Sequence, residues 1–228
     1  MSDDRPPLAS ARAVAIIMDG NARWAAEHGV PVLEGHREGA RTLKQTVKDA
    51  VRVGLDELCV YAFSTENWSR PTEEVEGLMA MFAELIISET PELDEEGVRM
   101  RFIGRREGVS LDLREKMAWA EETTAENARL RLFVAFNYGG RAEILDAAER
   151  YEGGGEEAFE AGLYAPEMRD PDLVIRTSGE SRLSNFLLWQ TAYAELEFAD
   201  VLWPDFRLEH LQEALREFEA RQRRFGAR

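Results

Sequence analysis

The chain has 228 residues, of which 44% are apolar, and a formal charge of -16 at pH 7, enough apolar material for one substantial core. That charge, with a pI near 4.7, argues against nucleic acid as a partner, whose phosphates would be repelled over most of the surface. The N-terminus lacks the basic-then-apolar layout of a signal peptide, and no apolar run approaches the roughly 18 residues that cross a bilayer, so a soluble cytoplasmic protein is expected. The single cysteine, Cys59, lies in an apolar run and reads as core in a reducing compartment. His28, His36 and His210 do not form a zinc-type spacing.

Residues 1–12 read as a tail before one domain, 13–228. The first apolar run, 13–18, predicts a strand that breaks at Asp19-Gly20-Asn21 and passes into a helix start through Ala22-Arg23-Trp24. Peptide N–H groups at a helix N-terminus attract phosphate oxygens, and Arg23 adds a planar charged fork. Asp19 would repel the same anion unless a cation lay between them; Mg2+ suits, because it takes one or two carboxylates plus phosphate oxygens. The same stretch also accommodates Asp19 as a helix N-cap and Trp24 as core.

A helix is predicted over 38–53, then a strand over 57–63 that ends in the polar run Ser64-Thr65-Glu66-Asn67-Trp68-Ser69-Arg70-Pro71. The next helix, 72–90, is apolar nearly all round between Gly77 and Ile86, so it is enclosed on several sides, by core, by a subunit interface or as the wall of a hydrocarbon channel. A strand over 98–103, a helix over 110–127 and a strand over 130–136 follow, the last running into Asn137-Tyr138-Gly139-Gly140-Arg141 and a helix over 141–151. Gly153-Gly154-Gly155 reads as a surface loop, since the Lys-Ser/Thr of a phosphate loop does not follow. A short strand at 173–175 leads to Arg176 through Asn185, and a charged helix over 207–224 carries the stripe Leu208, Leu211, Leu215 and Phe218.

Strands alternating with helices predict an α/β fold, a single-domain open, mainly parallel β-sheet flanked by helices. Ligands of such sheets bind beyond the carboxyl ends of the strands, where the polar runs gather. Arg176, Arg182 and Ser184 suit a compact anion with several oxygens, a diphosphate better than a carboxylate. The alternative is a structural salt bridge from one arginine to Glu180 or Glu195. The apolar segment Phe186-Leu187-Leu188-Trp189, with Leu196 and Phe198, is a candidate subunit interface.

With these segments in place the chain resembles the cis-prenyltransferases, the family of undecaprenyl diphosphate synthase. The resemblance rests on Ile16-Ile17-Met18-Asp19-Gly20-Asn21, Gly35-His36, Tyr61 through Pro71, Asn137 through Arg141, Asp172 through Thr177, Ser184 through Gln190, Ala192 through Leu196 and Trp203-Pro204-Asp205-Phe206, in unbroken order over about 13–226. It implies a homodimer with a hydrophobic tunnel that extends an allylic diphosphate, usually farnesyl diphosphate, by cis additions of isopentenyl diphosphate, with Mg2+ as cofactor. By this resemblance Asp19 and Asn67 are catalytic. Gly20, Asn21, Ala22, Arg23, Trp24, His36, Ser64, Trp68 and Arg70 bind the allylic diphosphate, Ser64, Asn67, Trp68 and Arg70 in a mobile segment that orders both substrates. Arg176, Arg182 and Ser184 bind isopentenyl diphosphate, Asp19 and Glu195 attend the metal, and Arg224 and Gly226 complete the neighbouring subunit's site. A long product implies transient membrane contact without an anchor.

Three positions and one stretch depart from the family pattern: Ala22 for a common glycine, Val32 where relatives carry an arginine before Gly35-His36, Ser181 where some relatives have a histidine, and a short stretch between Gly140 and Asp172. Two other outcomes stay open at this point, a synthase of short or irregular products and a noncatalytic subunit of a heteromeric enzyme. The second is disfavoured by the presence of Asp19, Asn67, Arg176 and Arg182.

Overall fold

The first strand, β1 (Ala13–Ile17), sends Val14 and Ile16 to one face of a sheet and Ala15 and Ile17 to the other, and all four are buried. A strand covered on both faces belongs inside a parallel sheet. The structure, a computed structural model, describes residues 11–221. After β1 come α1 (Asn21–His28), α2 (Val32–Val53), β2 (Glu57–Ser64), a 3-10 turn at Thr65–Ser69, α3 (Thr72–Glu95), β3 (Val98–Ile103), α4 (Leu111–Thr123), β4 (Leu130–Tyr138), α5 (Gly140–Arg150), α6 (Glu156–Glu160), β5 (Leu173–Arg176), β6 (Glu195–Phe198), a 3-10 turn at Trp203–Asp205 and α7 (Leu208–Ala220). The sheet order is β3-β4-β2-β1-β5-β6, and every pairing is parallel.

All five expected strands form. The sixth, β6, was not expected: Glu-Leu-Glu-Phe is only four residues long and half-buried throughout, so pairing with β5 rather than hydrophobic pattern makes it a strand. The helix expected from 38 begins at Val32, behind Pro31, whose fixed φ suits a helix entry. Phe186 and Leu187 are fully buried in the chain's own core; the expectation that they face a second subunit is corrected.

One face of the sheet carries the larger core, built with α2, α3, α4 and α7; the other packs under Tyr164, Ala165 and Met168 and the 183–194 segment. The α1–α2 crossing is close enough to need glycine. A Cβ on Gly35 would lie 2.3 Å from the Asn21 carbonyl oxygen, and one on Gly39 would lie 2.3 Å from Asn21 Oδ1. Among the described residues, no helix is long and apolar enough to cross a membrane.

Candidate active site

The chain leaves β1 toward β2 and leaves β5 toward β6, in opposite directions along the sheet. A crevice opens at such a switch point. Register places Ile17 beside Arg176, so the acid two residues beyond β1 meets the arginine that ends β5. Arg176 Nη2 donates to Asp19 Oδ2 at 2.8 Å. The Asp19 backbone is fixed from three directions. Its N–H donates to Thr177 Oγ1 at 2.9 Å, its carbonyl accepts from the Thr177 hydroxyl at 2.6 Å, and the same carbonyl accepts from the Trp203 N–H at 3.0 Å.

Arg176 is 4% exposed, and a buried guanidinium needs partners on every side. It donates to Ser184 Oγ at 2.6 Å and to the Arg182 carbonyl, while its Nε has no partner. Asn21 Oδ1 and His36 Nε2 are likewise buried without a partner. All three residues border one polar cleft of about 250 Å3 that also includes Asp19, Gly20, Ala22, Ser64, Asn67, Arg70 and Ser184. Burial lowers the His36 pKa to about 4, with the Arg70 cation acting in the same direction and Glu74 against it. The ring is therefore neutral at pH 7.

The cleft continues into an apolar cavity of about 130 Å3 through Met18, Asn21, His36, Ala62 and Phe82, which line both. Ala40, Leu43 and Val47 of α2 face Met81, Leu85 and Ile86 of α3 across it, with Phe102, Val134 and Phe136 of the sheet beneath. The helix that was apolar nearly all round thus owes that pattern to both core and cavity wall. Lys44 and Glu89 also line the cavity and pair at 2.6 Å.

Not every expected residue reaches the cleft. Gly20, with φ of 114°, is the N-cap of α1, and its left-handed backbone suits glycine; Asp19 caps nothing, so the N-cap alternative is corrected. Arg23 turns to the Ser178 carbonyl at 3.0 Å and to its hydroxyl, 3.9 Å from Asp19. Trp24 donates to Asp205 Oδ1 at 3.1 Å and stacks on His28, so it is neither core nor cleft wall. Trp68 donates to Asn137 Oδ1 at 2.7 Å and packs edge-on against Phe63, outside the cleft. Arg182 extends outward to Glu180 and lends the site only its carbonyl, which matches the salt-bridge alternative for that arginine. Glu195 begins β6 beside Leu173, whereas Arg176 ends β5, and it pairs with Arg221 at 3.3 Å. Glu195 and Asp19 are therefore at opposite ends of the sheet within one chain. Arg224 and Gly226 lie outside the described residues.

Thr177, Asn137 and Asn185 were the functional candidates that sequence reading passed over as individuals. Thr177 holds Asp19, Asn137 holds Trp68, and Asn185 joins two loops. A signal existed for all three, since Asn137 opens the polar run at the end of β4 while Thr177 and Asn185 lie in the polar run after β5. Among the described residues there is no group of three or more His, Cys, Asp and Glu side chains able to hold a metal. A single carboxylate, with the unpartnered Arg176 Nε free to donate to a phosphate, fits a Mg2+ ion that draws its remaining ligands from phosphate and water.

The polar cleft at the switch point opens into an apolar cavity between α2 and α3, a layout whose dimensions and chemistry suit an amphiphilic phosphate. A family model described as "Putative undecaprenyl diphosphate synthase" matches residues 17–226. An isoprenyl transferase of Thermotoga maritima is 50% identical over 222 residues, covering 93% of this chain and 95% of the relative. A (2E,6E)-farnesyl-diphosphate-specific ditrans,polycis-undecaprenyl-diphosphate synthase of Xanthomonas oryzae is 45% identical over 237 residues, covering 97% and 90%. The crystal structure of lavandulyl diphosphate synthase from Lavandula x intermedia with dimethylallyl diphosphate superposes with a TM-score of 0.91 at 32% identity, covering 96% of this chain and 99% of that one. The chain belongs to the undecaprenyl diphosphate synthase family; it is a cis-prenyltransferase, an isoprenyl transferase.

Proposed function

We propose that this enzyme condenses isopentenyl diphosphate in cis onto an allylic diphosphate, farnesyl diphosphate by preference, and repeats the addition to make an undecaprenyl-type carrier for cell-wall glycan synthesis. The observation that carries the reading is the continuity of the Asp19–Arg176 cleft with the apolar cavity. An allylic diphosphate fits with its head at the start of α1, against the Gly20, Asn21 and Ala22 backbone, and its hydrocarbon between α2 and α3. Neutral His36 and the unpartnered Asn21 Oδ1 stand where head and tail divide. Arg176 and Ser184 form the wall for the second diphosphate, and Arg70 faces the cleft as a further cation.

Bond breaking between carbon and the departing diphosphate oxygen is eased when developing charge meets donors already in place. The backbone N–H groups at the start of α1 and the Arg70 guanidinium, which border the allylic head, are such donors, while Arg176, immobilised by burial and by Ser184, holds the second diphosphate in place. Mg2+, held by Asp19 together with phosphate oxygens, would supply further charge neutralisation. Holding the second alkene against the allylic carbon supplies the proximity contribution. Joining the carbons leaves a proton to be lost; Asn67, an amide already accepting from the Ser64 N–H at 3.0 Å, is not a strong base for it.

Homodimerisation, a cytoplasmic location and transient membrane contact for product release belong to the same reading, supported by family membership and by the lack of a membrane-crossing helix among the described residues. The test is incubation with farnesyl and isopentenyl diphosphates, with Mg2+ or with EDTA, followed by mass spectrometry. Long products formed only with Mg2+ are expected. A short or branched product would favour the second reading, a short-chain or irregular synthase, which the fold similarity to lavandulyl diphosphate synthase brings into view. No product from any allylic primer would point to a noncatalytic subunit.

A further inference from the structure

The run Asn137 through Arg141 ends β4 and starts α5, yet none of its residues lines the polar cleft. Its bonds go elsewhere. Asn137, 4% exposed and with φ of 49°, accepts from Trp68 Nε1 through Oδ1 and donates through Nδ2 to the carbonyls of Arg105 at 3.0 Å and Glu107 at 2.9 Å. The first two amides of α5 also find partners in another part of the chain. Gly140 N–H donates to the Asn185 carbonyl at 2.7 Å, and Arg141 N–H donates to Asn185 Oδ1 at 2.8 Å. Asn185 thereby caps a helix whose own N-cap, Gly139, has no side chain to do so.

The remaining polar group of Asn185, Nδ2, donates to Glu66 Oε1 at 2.8 Å. Glu66 lies on the Thr65–Ser69 turn with Asn67, which lines the cleft, and Asn185 follows Ser184, which binds Arg176. One side chain therefore spans both walls. Space for it depends on the glycine pair: a Cβ on Gly139 would lie 2.7 Å from both Asn185 Nδ2 and Thr65 Oγ1, and one on Gly140 would lie 2.8 Å from Leu188 Cγ. The backbone here is held under strain as well. Ser184, Asn185 and Leu187 have φ of 49°, 66° and 46°, conformations that persist in non-glycine residues only where the surroundings impose them. The expectation of a mobile Ser64–Arg70 segment meets, in this structure, a turn tied down at Glu66 by Asn185 and at Trp68 by Asn137.

We propose that Asn185 is a positioning residue that fixes the Thr65–Ser69 turn, and with it Asn67, against the Arg176–Ser184 loop, so that the two walls of the cleft present their diphosphates at a set separation. The inference rests on the functional reading above. The turn and the loop are far apart in sequence, and neither has another described side-chain bond between Glu66 and the loop that would replace this one.

The donor and acceptor can be exchanged. Asn185→Asp keeps an oxygen for the Arg141 N–H but places a carboxylate against Glu66; adding Glu66→Gln then restores a donor–acceptor pair with the roles reversed. Steady-state kinetics are measured on the full chain, with thermal unfolding as a control. Asn185→Asp is expected to raise KM for isopentenyl diphosphate about tenfold, as loss of a charged hydrogen bond allows, with kcat less affected and Tm within a few degrees. The double variant is expected to return kcat/KM to within about threefold of wild type. Unchanged kinetics in Asn185→Asp would overturn the proposal, as would a loss that Glu66→Gln leaves in place. Calorimetric binding of inorganic diphosphate makes the comparison without turnover: weaker binding by Asn185→Asp supports the bracket and equal binding refutes it. An inactive wild type would instead refute the functional reading.

Discussion

Asp19 and Arg176 are a pair that neither residue's sequence neighbours would suggest. The bond between them forms because β1 and β5 lie side by side with Ile17 in register with Arg176. The carboxylate keeps a buried cation compensated and leaves its Nε free of a protein partner, as the proposed diphosphate contact requires. Asp19→Ala is expected to lower kcat by about 1,000-fold while leaving far-UV circular dichroism unchanged. Near-normal turnover by that variant would remove Asp19 from the mechanism. His36 yields a pH prediction. Its folded pKa of about 4 lies below its ordinary 6.5, so the unfolded chain takes up the proton first as pH falls. Stability from this group is present above 6.5 and is lost as pH falls toward 4. Replacing it by His36→Gln should flatten the stability profile in that interval by on the order of 2 kcal/mol, allowing for its partial exposure. Urea midpoints of the two proteins at matched pH would measure it, and parallel profiles would deny His36 the effect.

At the scale of elements, α1, α2 and α3 are fitted to one another by small residues and kept apart by the cavity. Gly35 meets the α1 backbone at a distance that leaves no space for a methyl group. Because the obstacle is a carbonyl rather than a movable side chain, Gly35→Ala should destabilise the fold by about 2–3 kcal/mol, read as a lower urea midpoint at unchanged slope. On the cavity side Ala40 has room beside it. Ala40→Phe is expected to shift products toward fewer isoprene units, with kcat/KM for the first addition within about threefold of wild type; an unaltered product length would show that the hydrocarbon takes another route. The near-continuous apolar pattern of α3 announced enclosure on all sides, but not whether the neighbour was core or space. That depends on how far α2 stands from it, which periodicity does not encode.

The whole molecule leaves Tyr193 76% and Leu145 62% exposed, whereas Phe186 and Leu187, the segment expected at a subunit interface, are core. Single exposed apolar residues are common and do not by themselves mark a contact, so the homodimer proposed above rests on family membership, with Tyr193 as the position chosen to test it. A homodimer should therefore elute with light-scattering mass twice the 25.9 kDa of one chain, and Tyr193→Glu should shift it toward monomer with loss of turnover. A monomeric wild type retaining full activity would sink the dimer. The opposite placement of Glu195 and Asp19 along the sheet also bears on this scale, since one chain by itself does not unite them.

Local chemistry was legible in the residues: five of the strands, the polar runs at their carboxyl ends, a helix start just after the first strand and the acid-plus-arginine composition all follow from hydropathy period and side-chain type. The motifs also sufficed for the family. What the tertiary structure decided were the pairings. It sent Trp24 to Asp205, Trp68 to Asn137 and Arg182 to Glu180, away from the cleft, and made the Asn185–Glu66 bond across 119 positions. It also made a strand of Glu195–Phe198 by adding it to an existing edge. The physical reason is the same throughout. Propensity and pattern act over a few neighbouring residues, whereas a hydrogen bond between distant residues depends on sheet order, strand register and the separation of packed helices, which exist only once the chain has folded.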